Sequence, residues 1–161
     1  MSTKDDATKT EPNVQDLVIE RDTGARAPAG AAGWLLAATA FCWALFQLWI
    51  SSPLPFEFGV LIFNDTEARA IHLGFAMFLA FTAYPTFLSS PRSYIPLQDW
   101  IMALLGCGSA LYLFVFYQEL ATRPGLPTQT DIIVACIGIA LMLEAARRSL
   151  GLPLMIVGSV F

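Results

Sequence analysis

The sequence predicts an all-α integral membrane bundle of four transmembrane helices, with the start of a fifth apolar segment at the C-terminus. Three observations predict it. Hydrophobic residues make up 56 % of the 161 and charged residues 14 %, against roughly 45–50 % and about 25 % in ordinary soluble domains. Mean hydropathy is +0.60. The charges are also unevenly placed. Residues 1–26 hold six acids and four bases, which leaves seven acids and five bases for the other 135 residues, and these mostly bracket apolar runs of near-membrane length.

The same numbers exclude other classes. A disordered chain, a coiled coil and a disulfide miniprotein do not have this composition. A net charge of -4 with nine scattered Lys and Arg excludes a basic nucleic-acid binder. The expected surrounding medium is a lipid bilayer, and no nucleic-acid partner is expected.

Residues 1–32 read as a polar cytosolic tail, low in large apolar residues and without a sustained period. The tail is too long and too acidic for the charged start of a secretory signal, so the first apolar run is expected to be retained. Residues 33–150 read as the four-helix domain. Span one is Gly33–Ser51, 19 residues or about 28 Å of helix. Trp34 and Trp49 lie near its ends, where indole favours the interface, and Pro53 and Pro55 stop it.

Span two is placed in Ala70–Pro91, between Arg69 and Arg92, with its apolar run at Ile71–Leu88. Asn64 followed by Glu67 is a capping-box pattern, and Tyr84-Pro85 and Ser89-Ser90-Pro91 punctuate its end. Span three is Trp100–Gln118, between Asp99 and Glu119. Its small-residue patch of Gly106, Gly108, Ser109 and Ala110 allows a close helix neighbour. Its aromatics Tyr112, Phe114, Phe116 and Tyr117 read equally well as a lipid anchor and as ordinary lipid-facing side chains. Span four is Asp131–Arg147, 17 residues and the short limit for a crossing. Thr128 and Asp131 cap its start, and Glu144 lies near enough to the interface to reach it.

Gly151-Leu-Pro153 breaks the chain, and residues 151–161 are apolar. Eleven residues cannot cross as a helix. They are either a short tail lying against the bundle or the first third of a fifth span in a longer polypeptide, and the sequence favours the second.

Orientation follows from the bases. With the tail in the cytosol, Lys4, Lys9, Arg21, Arg26, Arg92, Arg147 and Arg148 lie inside, and only Arg69 and Arg123 lie outside. The expected location is the bacterial inner membrane, multi-pass, with a cytosolic N-terminus.

Catalytic chemistry is missing from the sequence. Cys42, Cys107 and Cys136 all fall within spans, form no C-x-x-C pair and read as packing residues. His72 is the only histidine and reads as an interfacial side chain bonded to a carbonyl or headgroup. No P-loop, nucleophile elbow or metalloprotease motif is present. The middle of each span is free of acid and base, whereas a pump or ion-coupled carrier places ionisable groups or broken helices at the midplane. A carrier made of this chain alone would have to assemble around Thr39, Gln47 and Thr82. The sequence therefore predicts a scaffold or accessory subunit rather than an enzyme.

Three stretches taken together resemble one family. The first runs from Arg69-Ala-Ile-His-Leu-Gly-Phe-Ala to Tyr84-Pro85. The second is Asp99-Trp100, then Ala103-Leu-Leu-Gly and Tyr112. The third is Tyr117-x-Glu119-Leu-x-x-Arg123-Pro-Gly-x-Pro127-Thr128-x-x-Asp131, then Leu143-Glu144-Ala-x-Arg147-Arg148-x-x-Gly151. Across residues 64–161 the order and spacing resemble the N-terminal part of the fused permease of TRAP transporters, of the TAXI-associated type. The resemblance implies a small four-helix domain that supports a large multi-span permease domain, fused or separate. It also implies a periplasmic solute-binding protein as partner, and cation-coupled uptake, commonly of a carboxylate. Sodium and substrate would then bind in the partner transport domain, and this chain would hold no cofactor, metal or substrate site.

Two kinds of site are expected on this basis. Glu144, Arg147 and Arg148 stand at i,i+3 and i,i+4 spacing and form a candidate inner-interface assembly cluster; the plainer reading is a positive-inside anchor. The outer segments containing Phe56, Glu57, Phe58 and Asp65, and Glu119 and Arg123, are candidate docking loops stiffened by proline. The alternative functions are a free-standing small membrane protein that assembles or regulates another complex, and a small self-oligomerising channel.

Overall fold

A computed structural model describes residues 24–26, 28, 30–87 and 94–160. Most of the polar tail, Ser89-Ser90-Pro91, Arg92 and Phe161 lie outside the described residues. The described residues are helical, without strands. In chain order the helices are α1 (Ala31–Ser51), α2 (Leu54–Phe58), α3 (Asp65–Ala83), α4 (Leu97–Val115), α5 (Tyr117–Thr122), α6 (Gln129–Leu150) and α7 (Leu152–Val160).

Three of them, α1, α4 and α6, are long and apolar enough to cross a membrane. Helix α3 has 19 residues, the same length as α4. Its first turns carry Asp65, Glu67 and Arg69, which lower its apolar character, and it is not counted with the other three.

The long helices run alternately up and down. Antiparallel packing of α1 on α3 is marked by Arg26 N–H donating to Ala83 O at 2.7 Å and by Trp43 against His72 further along. Helix α3 lies centrally, packing against α1, α4 and α6. The core is Met77, Phe81, Ala103 and Ala145, with Leu73, Phe78, Met102 and Leu141 around it. A small core suits helices whose outer faces are meant for lipid: no residue of α1 is buried, and Trp34, Phe41 and Leu48 are among its exposed side chains.

Small residues set the helix spacing, as the patch on span three suggests. A Cβ on Gly106 would stand 3.0 Å from Met77 Cε and 3.3 Å from Phe81 Cε2. A Cβ on Gly138 would stand 3.2 Å from Ser109 Oγ. Glycine at these points lets α3 approach α4 and α4 approach α6. Gly108 faces open space.

Both predicted capping boxes form. Asn64 Oδ1 accepts from Glu67 N while Glu67 Oε2 accepts from Asn64 N. Thr128 and Asp131 exchange the same pair of bonds. Each box satisfies two amides that a helix start leaves without intrahelical partners.

Several boundaries differ from expectation. Span two leaves the helix at Ala83 and does not continue to Leu88, because Pro85 forces Tyr84 into an extended conformation (φ -107°, ψ 126°). Span three starts at Leu97 and stops at Val115, not Gln118. Phe116 (φ -99°, ψ 16°) breaks the helix, and Tyr117 opens the separate α5. Span four is longer than expected, Gln129–Leu150 at 22 residues. Gly151, at φ 89°, separates it from α7, a backbone conformation open to glycine and strained for other residues. Cys42 and Cys136 are exposed rather than packed, and only Cys107 is partly covered. Tyr112 and Phe114 are not free anchors: Tyr112 bonds Asp131, and the Phe114 ring meets Phe63 at 5.9 Å.

Candidate functional site

The alternating helices bring three chain segments to one end of the bundle: the approach to α1, the α3–α4 connection with the start of α4, and the end of α6. The charges carried there meet. Glu144 receives both arginines, as the spacing predicts. Arg147 grips it with two bonds, Nε to Oε2 and Nη2 to Oε1, each 2.7 Å. Arg148 Nε donates to Glu144 Oε1 at 2.8 Å.

The cluster reaches further than the local spacing indicates. Arg148 Nη1 donates to Asp99 Oδ1 at 2.8 Å, and Arg26 Nη2 donates to Asp99 Oδ2 at 2.6 Å. The Arg26 and Arg148 side chains are fully buried, and that of Asp99 nearly so. Arg26 lies within the expected cytosolic tail, yet its side chain is inside the bundle. Thr86 Oγ1 also donates to Asp99 at 3.3 Å, and Arg147 Nη2 donates to Thr86 O. The Arg148 guanidinium stands 4.9 Å from the Phe81 ring centroid, in cation–π range. Among the described residues three arginines share two carboxylates, and Arg26 Nε has no partner.

Burying these ions is costly, and mutual pairing with satisfied hydrogen bonds is what offsets it. The arrangement is suited to holding chain segments in register. With most donors and acceptors spent on each other, it is poorly suited to binding a solute. Sequence reasoning found Glu144, Arg147 and Arg148 but missed Asp99 and Arg26. Sorting the bases by membrane side places Arg26 with the arginine pair, but no local spacing links it to Asp99, 73 positions away.

The opposite end gathers a second, smaller set. Tyr112 Oη donates to Asp131 Oδ1 at 2.5 Å, and Arg123 Nη2 lies 3.2 Å from Asp131 Oδ2. Arg123 is also 4.0 Å from Glu119, whose side chain is exposed. Arg123 is therefore turned inward to cap the α6 start, and within its segment Glu119 is the more exposed side chain. In the other segment Phe56 and Phe58 are exposed at 75 % and 67 %, although Phe58 stacks on Trp49. Glu57 is exposed, and Asp65 pairs with Arg69 at 3.0 Å on the surface. Thus both candidate docking segments lie at one end of the bundle.

His72 meets side chains of another helix. Its Nδ1 meets the Trp43 and Gln47 side chains of α1. Among the described residues no group of three or more His, Cys, Asp or Glu is placed to hold a metal ion. An apolar cavity of about 540 Å³ opens between α4 and α6, lined by Leu113, Ala135, Ile139 and Met142, with Tyr112 and Asp131 also in its wall.

Comparison of the chain with protein-family models, curated proteins and solved structures gives no match.

Proposed function

We propose that this chain is a four-span membrane scaffold domain of a TRAP-type secondary solute transporter, supporting a large permease domain that a periplasmic solute-binding protein supplies. The four-span topology takes α3 as a crossing helix, its charged first turns at the outer interface and its apolar remainder in the bilayer. The N-terminus lies in the cytosol of a bacterial cell, and the ionic cluster sits at the inner face of the cell membrane.

The buried Arg26–Asp99–Arg148–Glu144 network is the single observation that supports the scaffold role, and the TRAP assignment rests on the sequence resemblance across residues 64–161. A domain against which another moves must itself be rigid, and this network cross-links the approach to α1, the start of α4 and the end of α6. The spans between their charged ends hold no acid or base, which suits a support and not an ion-coupled carrier. Sodium and the carboxylate solute bind in the partner domain.

Co-purification tests this reading. The full chain, expressed with a TAXI-type TRAP permease domain in one membrane, is expected to co-purify with it in mild detergent. Recovery of the chain free of the permease at matched expression would contradict the proposal.

A further inference from the structure

The connection between α1 and α3 is apolar, where connections between helices usually carry polar side chains. Glu57 is the only charged residue from Ser51 to Asn64. Phe56, Phe58, Val60, Leu61 and Ile62 are each more than half exposed. A contiguous apolar patch of this kind marks contact with a partner or a membrane.

The contacts of this segment distinguish the two. It does not project away from the bundle but folds back along the last turns of α1. The Phe58 ring stacks on Trp49 at 6.4 Å, and Trp49 Nε1 donates to Leu61 O at 3.4 Å. The Phe63 ring lies 6.0 Å from that of Phe46 and 5.9 Å from that of Phe114. Phe46 is five residues, about 7 Å, inside the end of α1. Gly59 at φ 65° and Leu61 at φ 53° turn the chain back. A bulky side chain seldom adopts such a conformation, and the bond from Trp49 holds Leu61 in it.

Leu45, Leu48 and Trp49 share one face of α1 by helical spacing, and Leu45 and Leu48 are exposed. Helix α1 is long and apolar enough to cross a membrane, and in a membrane that face meets lipid. Through the stack of Phe58 on Trp49, the exposed side chains of the connection continue the same apolar surface at the level where the helix ends.

We propose that residues 54–63 form an interfacial anchor, with Phe56, Phe58, Val60, Leu61 and Ile62 inserted among the acyl chains of the leaflet at the end of α1. Polar structure resumes directly after it, at the Asn64 capping box and the Asp65–Arg69 pair. The segment carries one acid and no base, so apolar burial drives the insertion and a zwitterionic lipid suffices. Lipid thus occupies Phe56 and Phe58, which the sequence offered to a docking protein. The inference rests on α1 as a crossing helix and not on the transporter reading.

The test uses nitroxide labels on the single-cysteine variants Phe56→Cys, Ile62→Cys, Leu48→Cys and Gly125→Cys of the full chain, otherwise free of cysteine, in phosphatidylcholine vesicles. Power saturation reads collision of each label with oxygen, which concentrates among acyl chains, and with a water-soluble nickel chelate. The labels at 56 and 62 are expected to give an oxygen-to-nickel accessibility ratio close to that at 48 and several-fold above that at 125. Labels at 56 and 62 that collide with nickel as the one at 125 does would overturn the inference by placing the segment in water. Labels shielded from both reagents would overturn it by showing a protein cover. A water-exposed label at 48 would overturn it differently, by removing α1 from the bilayer.

Discussion

Arg26 and Asp99 stand 73 positions apart in the chain and 2.6 Å apart in the fold. Their contact closes the segment before α1 onto the start of α4, and Arg148 binds the other carboxylate oxygen from the end of α6. One buried aspartate thereby joins three segments.

Removing that aspartate leaves buried arginine charge. Asp99→Asn is expected to destabilise the bundle by about 3–5 kcal/mol, read by equilibrium unfolding in mixed micelles of dodecyl maltoside and SDS. A loss below about 1 kcal/mol would show that the network is not a structural lock.

The two adjacent arginines should behave differently. Arg148 is wholly buried and bonds both Asp99 and Glu144, while the Arg147 side chain is 26 % exposed and bonds Glu144 and a carbonyl. Arg148→Gln is expected to lower stability in the same assay markedly more than Arg147→Gln. Equal losses would reduce the pair to the positive-inside anchor that the sequence also allows.

The glycines of α4 give a paired test of packing. Gly106→Val forces a side chain into Met77 and Phe81 and is expected to cost about 1–3 kcal/mol. Gly108→Ala meets nothing within 4 Å and is expected to gain about 0.5–1 kcal/mol through helix propensity. A common sign for both substitutions would contradict the α3–α4 packing.

Topology is tested by labelling in a cysteine-free background. A cysteine introduced before residue 24 and one at Gly125 are expected to react with an impermeant maleimide from opposite sides of the membrane. Reaction of both from one side would remove the four-span topology and the inside placement of the ionic cluster.

Local patterns were the legible part of this chain. Asn64 with Glu67 and Thr128 with Asp131 announced two helix starts, because a capping box needs only residues three apart. Glu144 announced its partners for the same reason. The α4 ending at Val115 was not legible, since Phe116 and Tyr117 continue the apolar run and nothing in their residue types marks the break. Asp99 was visible only as the edge of a span. Its role depends on which segments the topology brings to one end, and Arg26 looked like one more charge in a polar tail. His72 was read without Trp43 and Gln47, because those partners come from another helix.

The central claim is that the chain supports transport and does not perform it. Reconstitution in proteoliposomes tests this most directly, with a sodium gradient and a radiolabelled carboxylate carried by the cognate binding protein. The account predicts uptake only when the chain, the large permease domain and the binding protein are all present, and background uptake when the permease domain is left out. Sodium-driven uptake by the chain without that domain, or full uptake by the permease domain and binding protein without the chain, would contradict it.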